Sequence, residues 1–180
     1  MGDPNFERTV VLLALHGPRG ALGFVVNRLA PMPLGELMAL AGYGPRMQLV
    51  GGPVLVGGPV EPGSGWIVTG DPEQFDGIEG TIDVTERVRI SSSREAFDRA
   101  ARDVEPGDGE GLGRRLVCVG YSGWGPGQLE GEIAQGAWIP APFDERILFD
   151  VPVEARWSEV YAMLGLSPAM GLGMRTVGEA

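Results

Sequence analysis

Fourteen consecutive residues, Gly120-Tyr-Ser-Gly-Trp-Gly-Pro-Gly-Gln-Leu-Glu-Gly-Glu-Ile133, set a serine hydroxyl, two aromatic rings, an amide and two carboxylates among five glycines. Three kinds of chemistry are open to such a stretch. Ser122 could be a nucleophile, Glu130 or Glu132 could move a proton, and backbone N–H groups freed by the glycines could hold an anion or a carbonyl oxygen. The nucleophile reading is the weakest. A nucleophile elbow requires Gly-x-Ser-x-Gly, and Trp124 stands where the second glycine should be. The only histidine, His16, precedes Ser122, whereas the hydrolase order places the histidine after the serine. His16 sits at the end of an apolar run beside Gly17-Pro18, where it either bonds the turn backbone or contacts a ligand. Gln128, Glu130 and Glu132 diverge around a helix, so at most two of them share a site, and Glu130 is the first choice for a proton-transfer group.

The remaining composition removes whole classes of function. All fourteen basic residues are arginine, so neither a Schiff-base lysine nor a phosphate-loop lysine exists. One histidine and one cysteine, Cys118, cannot assemble a nitrogen and sulfur zinc site, and the carboxylates lack calcium-loop spacing, so no metal and no cofactor are expected. A net charge of −10 opposes adhesion to a phosphate backbone, and no pair of helices reads as a helix-turn-helix with a basic face. Direct nucleic-acid binding is therefore disfavoured. The Gly57 to Gly65 loop lacks both phosphate-loop and dinucleotide spacing and reads as a turn. No apolar run is long enough to span a bilayer, and the chain shows neither a signal-type leader nor an internal disulfide, which makes the cytoplasm the expected compartment.

The elements that must position these groups are short. Thr9 to Leu15 and Ala21 to Asn27 are Val/Leu-rich runs on either side of His16-Gly-Pro-Arg-Gly20, the pattern of a buried hairpin. Pro33 opens a helix carrying Leu34, Leu37, Met38 and Ala41 to Gly42. Val54 to Val56, Trp66 to Thr69, parts of Thr81 to Ile90, Arg115 to Tyr121 and Ile147 to Phe149 read as strands. Ser92 and Glu95 form a capping box for a helix with Ala96, Phe97, Ala100 and Ala101 on its apolar face. Pro126 opens another helix, and Trp157, Val160, Tyr161 and Leu164 recur at core-facing helical spacing up to a C-cap at Gly165. The repeated Gly-Gly-Pro-Val at Gly51 and Gly57 reads as a local insertion.

Strands and helices do not alternate as a doubly wound sheet requires. The expected fold is α+β: one compact domain over residues 1–180, with a mixed or mainly antiparallel, barrel-like sheet and helices packed on it. A mobile loop is expected over 105–113 and a tail over 168–180.

Asp3-Pro-Asn-Phe-Glu-Arg-Thr-Val-Val11, His16, Gly20 to Arg28, Gly57-Gly-Pro-Val60, Gly120 to Glu130 with Glu132-Ile133, Trp138, Ile147-Leu-Phe-Asp150 and Trp157 occur in one order along almost the whole chain. In these motifs the chain resembles the YqgE/AlgH family of bacterial proteins. The resemblance implies an α+β fold, a cytoplasmic protein and a family described as transcriptional regulators without an assigned molecular activity. Family members begin with a strand-like segment ahead of the Asp-Pro motif, whereas this sequence starts almost at Asp3. Either the start is truncated or that strand is missing; if it is missing, a sheet edge would be open near Thr9 to Leu15, which keeps a homodimer among the candidate partners.

The candidate functional surface is therefore His16, Asn27, Tyr121, Ser122, Gly123, Trp124, Gly127, Gln128 and Glu130. The favoured expectation is a noncatalytic regulatory protein that binds a small molecule or a protein partner there. The alternatives are an enzyme using His16 or Glu130 for proton transfer and a regulator acting directly on DNA.

Overall fold

Strand pairing explains most of the architecture. The computed structural model describes residues 6–44, 51–102 and 113–166. Among these, seven strands form one sheet: β1 (Val11–Gly17), β2 (Gly20–Val25), β3 (Val54–Val56), β4 (Val60–Thr69), β5 (Ile82–Asp83), β6 (Arg89–Ser91) and β7 (Arg115–Trp124). The order is β1-β2-β7-β4-β6-β5, with β3 added to β7. Every pairing is antiparallel except β3 with β7. The terminal strands β1 and β5 approach each other, so the fold is an α+β domain built on a nearly closed barrel. The described helices are α1 (Leu34–Leu40), α2 (Arg94–Arg102), α3 (Gln128–Ala134), α4 (Glu145–Phe149) and α5 (Arg156–Met163).

Two apolar layers follow from strand alternation. Leu12, Phe24, Leu55, Val68, Ile90, Leu116 and Cys118 fill the inner cluster. Val54, Ile67 and Val117 face outward and are covered by Leu34 and Met38 of α1 and by Ala96, Phe97 and Ala100 of α2. Strand β7 is thus buried on both faces, which is why its Leu-Val-Cys-Val run shows no polar alternation. Burial pushes the Cys118 thiol up to about 12, so it stays protonated and is no nucleophile.

Several elements differ from the sequence reading, each for a local reason. Strand β7 continues past Tyr121 to Trp124, because Ser122, Gly123 and Trp124 take ladder positions against Gly23, Leu22 and Ala21. The glycines there serve close backbone approach within a strand, and the turn falls at Gly125 to Gly127. Ile147 to Phe149 is helical. Asp144 caps it, its Oδ1 accepting the Arg146 N–H at 2.9 Å, and the short helix buries Ile147 and Leu148. The cap of α2 is Ser93, not Ser92: its Oγ accepts the Ala96 N–H at 3.1 Å, while Glu95 pairs with Arg99 one turn on. In α5 the expected apolar stripe is only half-buried, and the buried residue is Arg156, 3% exposed. Gly165, at φ 69°, closes that helix, with Leu166 N–H donating to Tyr161 O and Gly165 N–H to Ala162 O, the paired bonds of a Schellman cap. The loop expected over 105–113, apart from Gly113, and the tail expected over 168–180 lie outside the described residues.

Candidate functional site

The two glycine motifs meet. Gly57 donates its N–H to Val119 O at 2.8 Å, and its own carbonyl accepts the Val25 N–H at 2.8 Å and the Ser122 Oγ at 3.1 Å. Opposite it, Gly120 adopts φ 67° where the β4–β7 register breaks between Val60 and Gly65. A Cβ on Gly120 would stand 2.5 Å from Gly58 O, and one on Gly57 would collide with Gly120 O. Backbone crosses backbone here with no space for a methyl group. The first Gly-Gly-Pro-Val copy differs, since a Cβ on Gly51 would meet nothing.

This crossing decides the fate of Ser122. Its side chain is enclosed, 1% exposed, and its hydroxyl is spent on the Gly57 carbonyl. Asn27 is also engaged: its Oδ1 accepts the Val10 N–H at 2.7 Å and its Nδ2 donates to Arg8 O at 2.8 Å, fastening the segment before β1. Tyr121 stacks edge-on against Trp66, with its hydroxyl 3.5 Å from Glu61 Oε1.

Helix α3 splits its polar groups between two faces. Gln128 and Glu132, one turn apart, bond at 2.9 Å, and the Glu132 Oε2 accepts the indole N–H groups of Trp138 at 2.7 Å and of Trp124 at 3.0 Å. Phe6 lies edge-on to Trp138, and the two indoles are themselves edge-to-face. Burial pushes the Glu132 carboxyl up, but the hydrogen bonds from Trp138, Gln128 and Trp124 together outweigh it and hold the carboxyl below the ordinary value of 4.5. Sequence reasoning ranked Glu130 above Glu132. The signal it passed over was the indole of Trp138 six residues after Glu132, a donor that needs an acceptor once partly buried. Gln128 also accepts the Gly125 N–H at 3.0 Å, so the turn's backbone donor is satisfied within the chain instead of cradling an anion.

The opposite face of α3 carries Glu130, whose Oε1 lies 2.7 Å from Nε2 of His16 at the end of β1. The two side chains are 51% and 47% exposed. The backbone N–H of Glu130 itself, followed by the His16 hydrogen bond, holds the Glu130 carboxyl below its ordinary value. The pair is flanked by the Gly17 to Gly20 turn and by Gly125-Pro126-Gly127, with Gly123 exposed nearby in β7. Of the sequence-predicted surface, then, His16, Gly123, Gly127, Gln128 and Glu130 are at or near solvent, Tyr121 is half-buried, and Ser122 and Trp124 are packed away. A cleft of about 540 Å³ exists, but it is lined by Thr85, Glu86, Arg87, Phe143, Asp144, Glu145 and Met163, none of them from this surface. Among the described residues no group of three His, Cys, Asp or Glu side chains could hold a metal ion, and no helix is long and apolar enough to cross a membrane.

Because the Glu132 carboxyl is depressed in the folded chain, its contribution to stability is present above pH 4.5 and is lost as the pH falls through its folded value. Glu132→Gln should flatten the acid limb of a stability–pH profile followed by tryptophan fluorescence. Glu132→Ala should cost about 2 kcal/mol at neutral pH by leaving two indole donors without their shared acceptor. An unchanged acid limb in the glutamine variant would show that the carboxylate is not a folding determinant.

A nearly closed, mainly antiparallel barrel whose strand-to-helix signature is internally bonded, with one exposed His–Glu pair beside it, defines the structural class. The sequence matches the model of the AlgH-like family over residues 1–169, and the chain belongs to that family. Relatives include a UPF0301 protein of Anaeromyxobacter dehalogenans, 38% identical over 174 residues that cover 94% of this chain and 85% of the relative. Another from Laribacter hongkongensis is 37% identical, covering 96% and 89%. The solution structure of the AlgH protein from Pseudomonas aeruginosa is similar, with a TM-score of 0.74 and 32% identity over 100% of this chain and 90% of that one. A crystal structure of a Corynebacterium diphtheriae protein shares the fold, with a TM-score of 0.63 at 18% identity and coverage of 89% and 79%.

Proposed function

We propose that this chain is a noncatalytic regulatory protein that engages a protein partner through the face carrying His16 and Glu130. The observation that carries this reading is how the signature's polar groups are distributed. Ser122, Asn27 and Glu132 are bonded within the fold, the exposed Gln128 is tied to Glu132, and the His16–Glu130 pair is presented outward, on a surface poor in side chains because glycine and proline surround it. Such a surface lets another backbone approach closely. The charge of −10 favours a protein partner over nucleic acid. The cytoplasm is the compartment in which we place this activity.

A second reading rests on the 2.7 Å contact itself: a carboxylate orienting an imidazole is the arrangement of a proton-transfer pair. The exposed setting argues against it, since the pair is half-exposed and Ser122, the serine of the same signature, is committed to Gly57.

The test is affinity capture from the cognate bacterial lysate with the wild-type chain and the His16→Ala/Glu130→Gln double variant side by side. An exposed pair contributes less than about 1 kcal/mol, so the variant should fold normally. The expected result is a defined protein captured by the wild type and lost with the variant. Identical captures, or none, would overturn the reading.

A further inference from the structure

We propose that His16 determines the specificity of the docking face: with its Nε2–H donated to Glu130, its Nδ1 is kept as a bare hydrogen-bond acceptor for a main-chain N–H of the partner. The inference rests on the docking reading above and adds the chemistry that the partner must bring. An ionised carboxylate only accepts hydrogen bonds, so the ring nitrogen that lies 2.7 Å from Glu130 Oε1 carries a proton. In the neutral imidazole the other nitrogen then has none. Glu130 is ionised throughout the neutral range, because its own backbone N–H, followed by the His16 hydrogen bond, holds the carboxyl below its ordinary value. The tautomer is thereby set by a residue 114 positions away in the chain.

Nδ1 makes no bond among the described residues, and the His16 side chain is 47% exposed. This nitrogen is bonded to Cγ and so lies close to the main chain of β1. A donor reaches it only if the partner's own main chain comes near, and the bare Gly17 to Gly20 turn on one side and Gly125-Pro126-Gly127 on the other permit that approach. The arrangement also discriminates. A donor meets an acceptor already in the right protonation state, whereas a carbonyl placed there would face a second lone pair and lose its hydrogen bond to water.

His16 is the only histidine of the chain, so its two ring nitrogens give one unambiguous pair of signals in a two-bond ¹H–¹⁵N correlation spectrum of the ¹⁵N-labelled protein. In mildly alkaline buffer Nδ1 should resonate as a bare nitrogen and Nε2 as one that carries a proton. A proton on Nδ1, or equal populations of the two tautomers, would overturn the proposal. Glu130→Ala should admit the second tautomer and draw the two nitrogen shifts toward each other; an identical spectrum would remove the role given to the carboxylate, and the proposal with it. The second arm is capture from the cognate lysate with His16→Asn, whose amide oxygen can occupy the Nδ1 position, and His16→Gln, whose amide reaches the Nε2 position instead. The asparagine variant should keep the captured protein within about 2-fold of the wild type, while the glutamine variant should reduce it about 5-fold, the worth of one hydrogen bond. Equal loss or equal retention in the two variants would overturn the acceptor role. A wild-type chain that captures nothing overturns the docking reading and the acceptor role together, whereas a proton on Nδ1 beside intact capture overturns the acceptor role alone.

Discussion

Replacing Arg156 with alanine is expected to lower the stability of the protein by about 4 kcal/mol, the largest effect of any single side-chain truncation considered. The guanidinium is buried with no carboxylate in ion-pair contact among the described residues. Its Nη1 donates to Val26 O at 2.5 Å, Nη2 to Leu148 O at 2.6 Å and Nε to Val151 O at 3.1 Å. One residue of α5 thereby ties Val26, just after β2, to the last turn of α4 at Leu148 and to Val151 just beyond that helix. Desolvation pulls its pKa down from the usual arginine value, which lies so far above neutrality that the group remains charged. Truncation leaves those carbonyls without donors and opens a void beside the inner cluster. Thermal unfolding should move down by roughly 10 °C. Arg156→Lys keeps the charge but cannot reproduce three divergent donors, and should fall between the two. A loss below about 1 kcal/mol in urea titrations of the alanine variant would mean that water replaces the guanidinium freely, contrary to the clamp described.

The second large effect is expected at Gly120. Alanine there must hold φ at 67° and bring its Cβ within 2.5 Å of Gly58 O and 3.0 Å of Val60 O. The left-handed backbone alone costs an alanine about 1 to 2 kcal/mol. The collision is with main chain on two sides, which cannot rotate away as a side chain would, so the total should reach about 3 kcal/mol or more. Gly127 is the internal control. It has nearly the same φ, 73°, with nothing within 4 Å of a Cβ, so Gly127→Ala should cost only the conformational part, about 1 kcal/mol. Equal losses in the two variants by chemical denaturation would show that backbone conformation, not the crossing with Gly58, accounts for the glycine.

These two positions reframe the signature run. Part of it is architectural, holding Gly57 and Gly58 against β7, and part of it is a brace in which Glu132 gathers Trp124, Trp138 and Gln128. The proposed docking face is what remains once those roles are subtracted. The brace also positions it, because the helix that turns Glu132 inward turns Glu130 toward His16.

The family was legible through the resemblance of motifs spread along the chain, and the α+β class, the hairpin of β1 and β2, α1 with its start after Pro33, and the Gly165 cap were legible from residue pattern. Each of these patterns depends on neighbours a few positions apart: alternation, helical spacing, proline at a helix start, glycine at its end. Ile147 to Phe149 was not legible as helix, because three apolar residues suit either element and the deciding group is the Asp144 cap. The spacing of Arg156 gave no sign of burial, since its three acceptors lie on carbonyls of Val26, Leu148 and Val151, the first of them 130 residues away. Likewise the sequence determined that His16, Ser122 and Glu130 exist and that no lysine or metal set accompanies them. Only the tertiary structure decided that His16 meets Glu130 across 114 residues while Ser122 is closed off by Gly57. Local preference is a property of short chain segments, whereas the pairing of distant groups is set by sheet register and by where two backbones cross, and neither is written in the order of residues around any one of them.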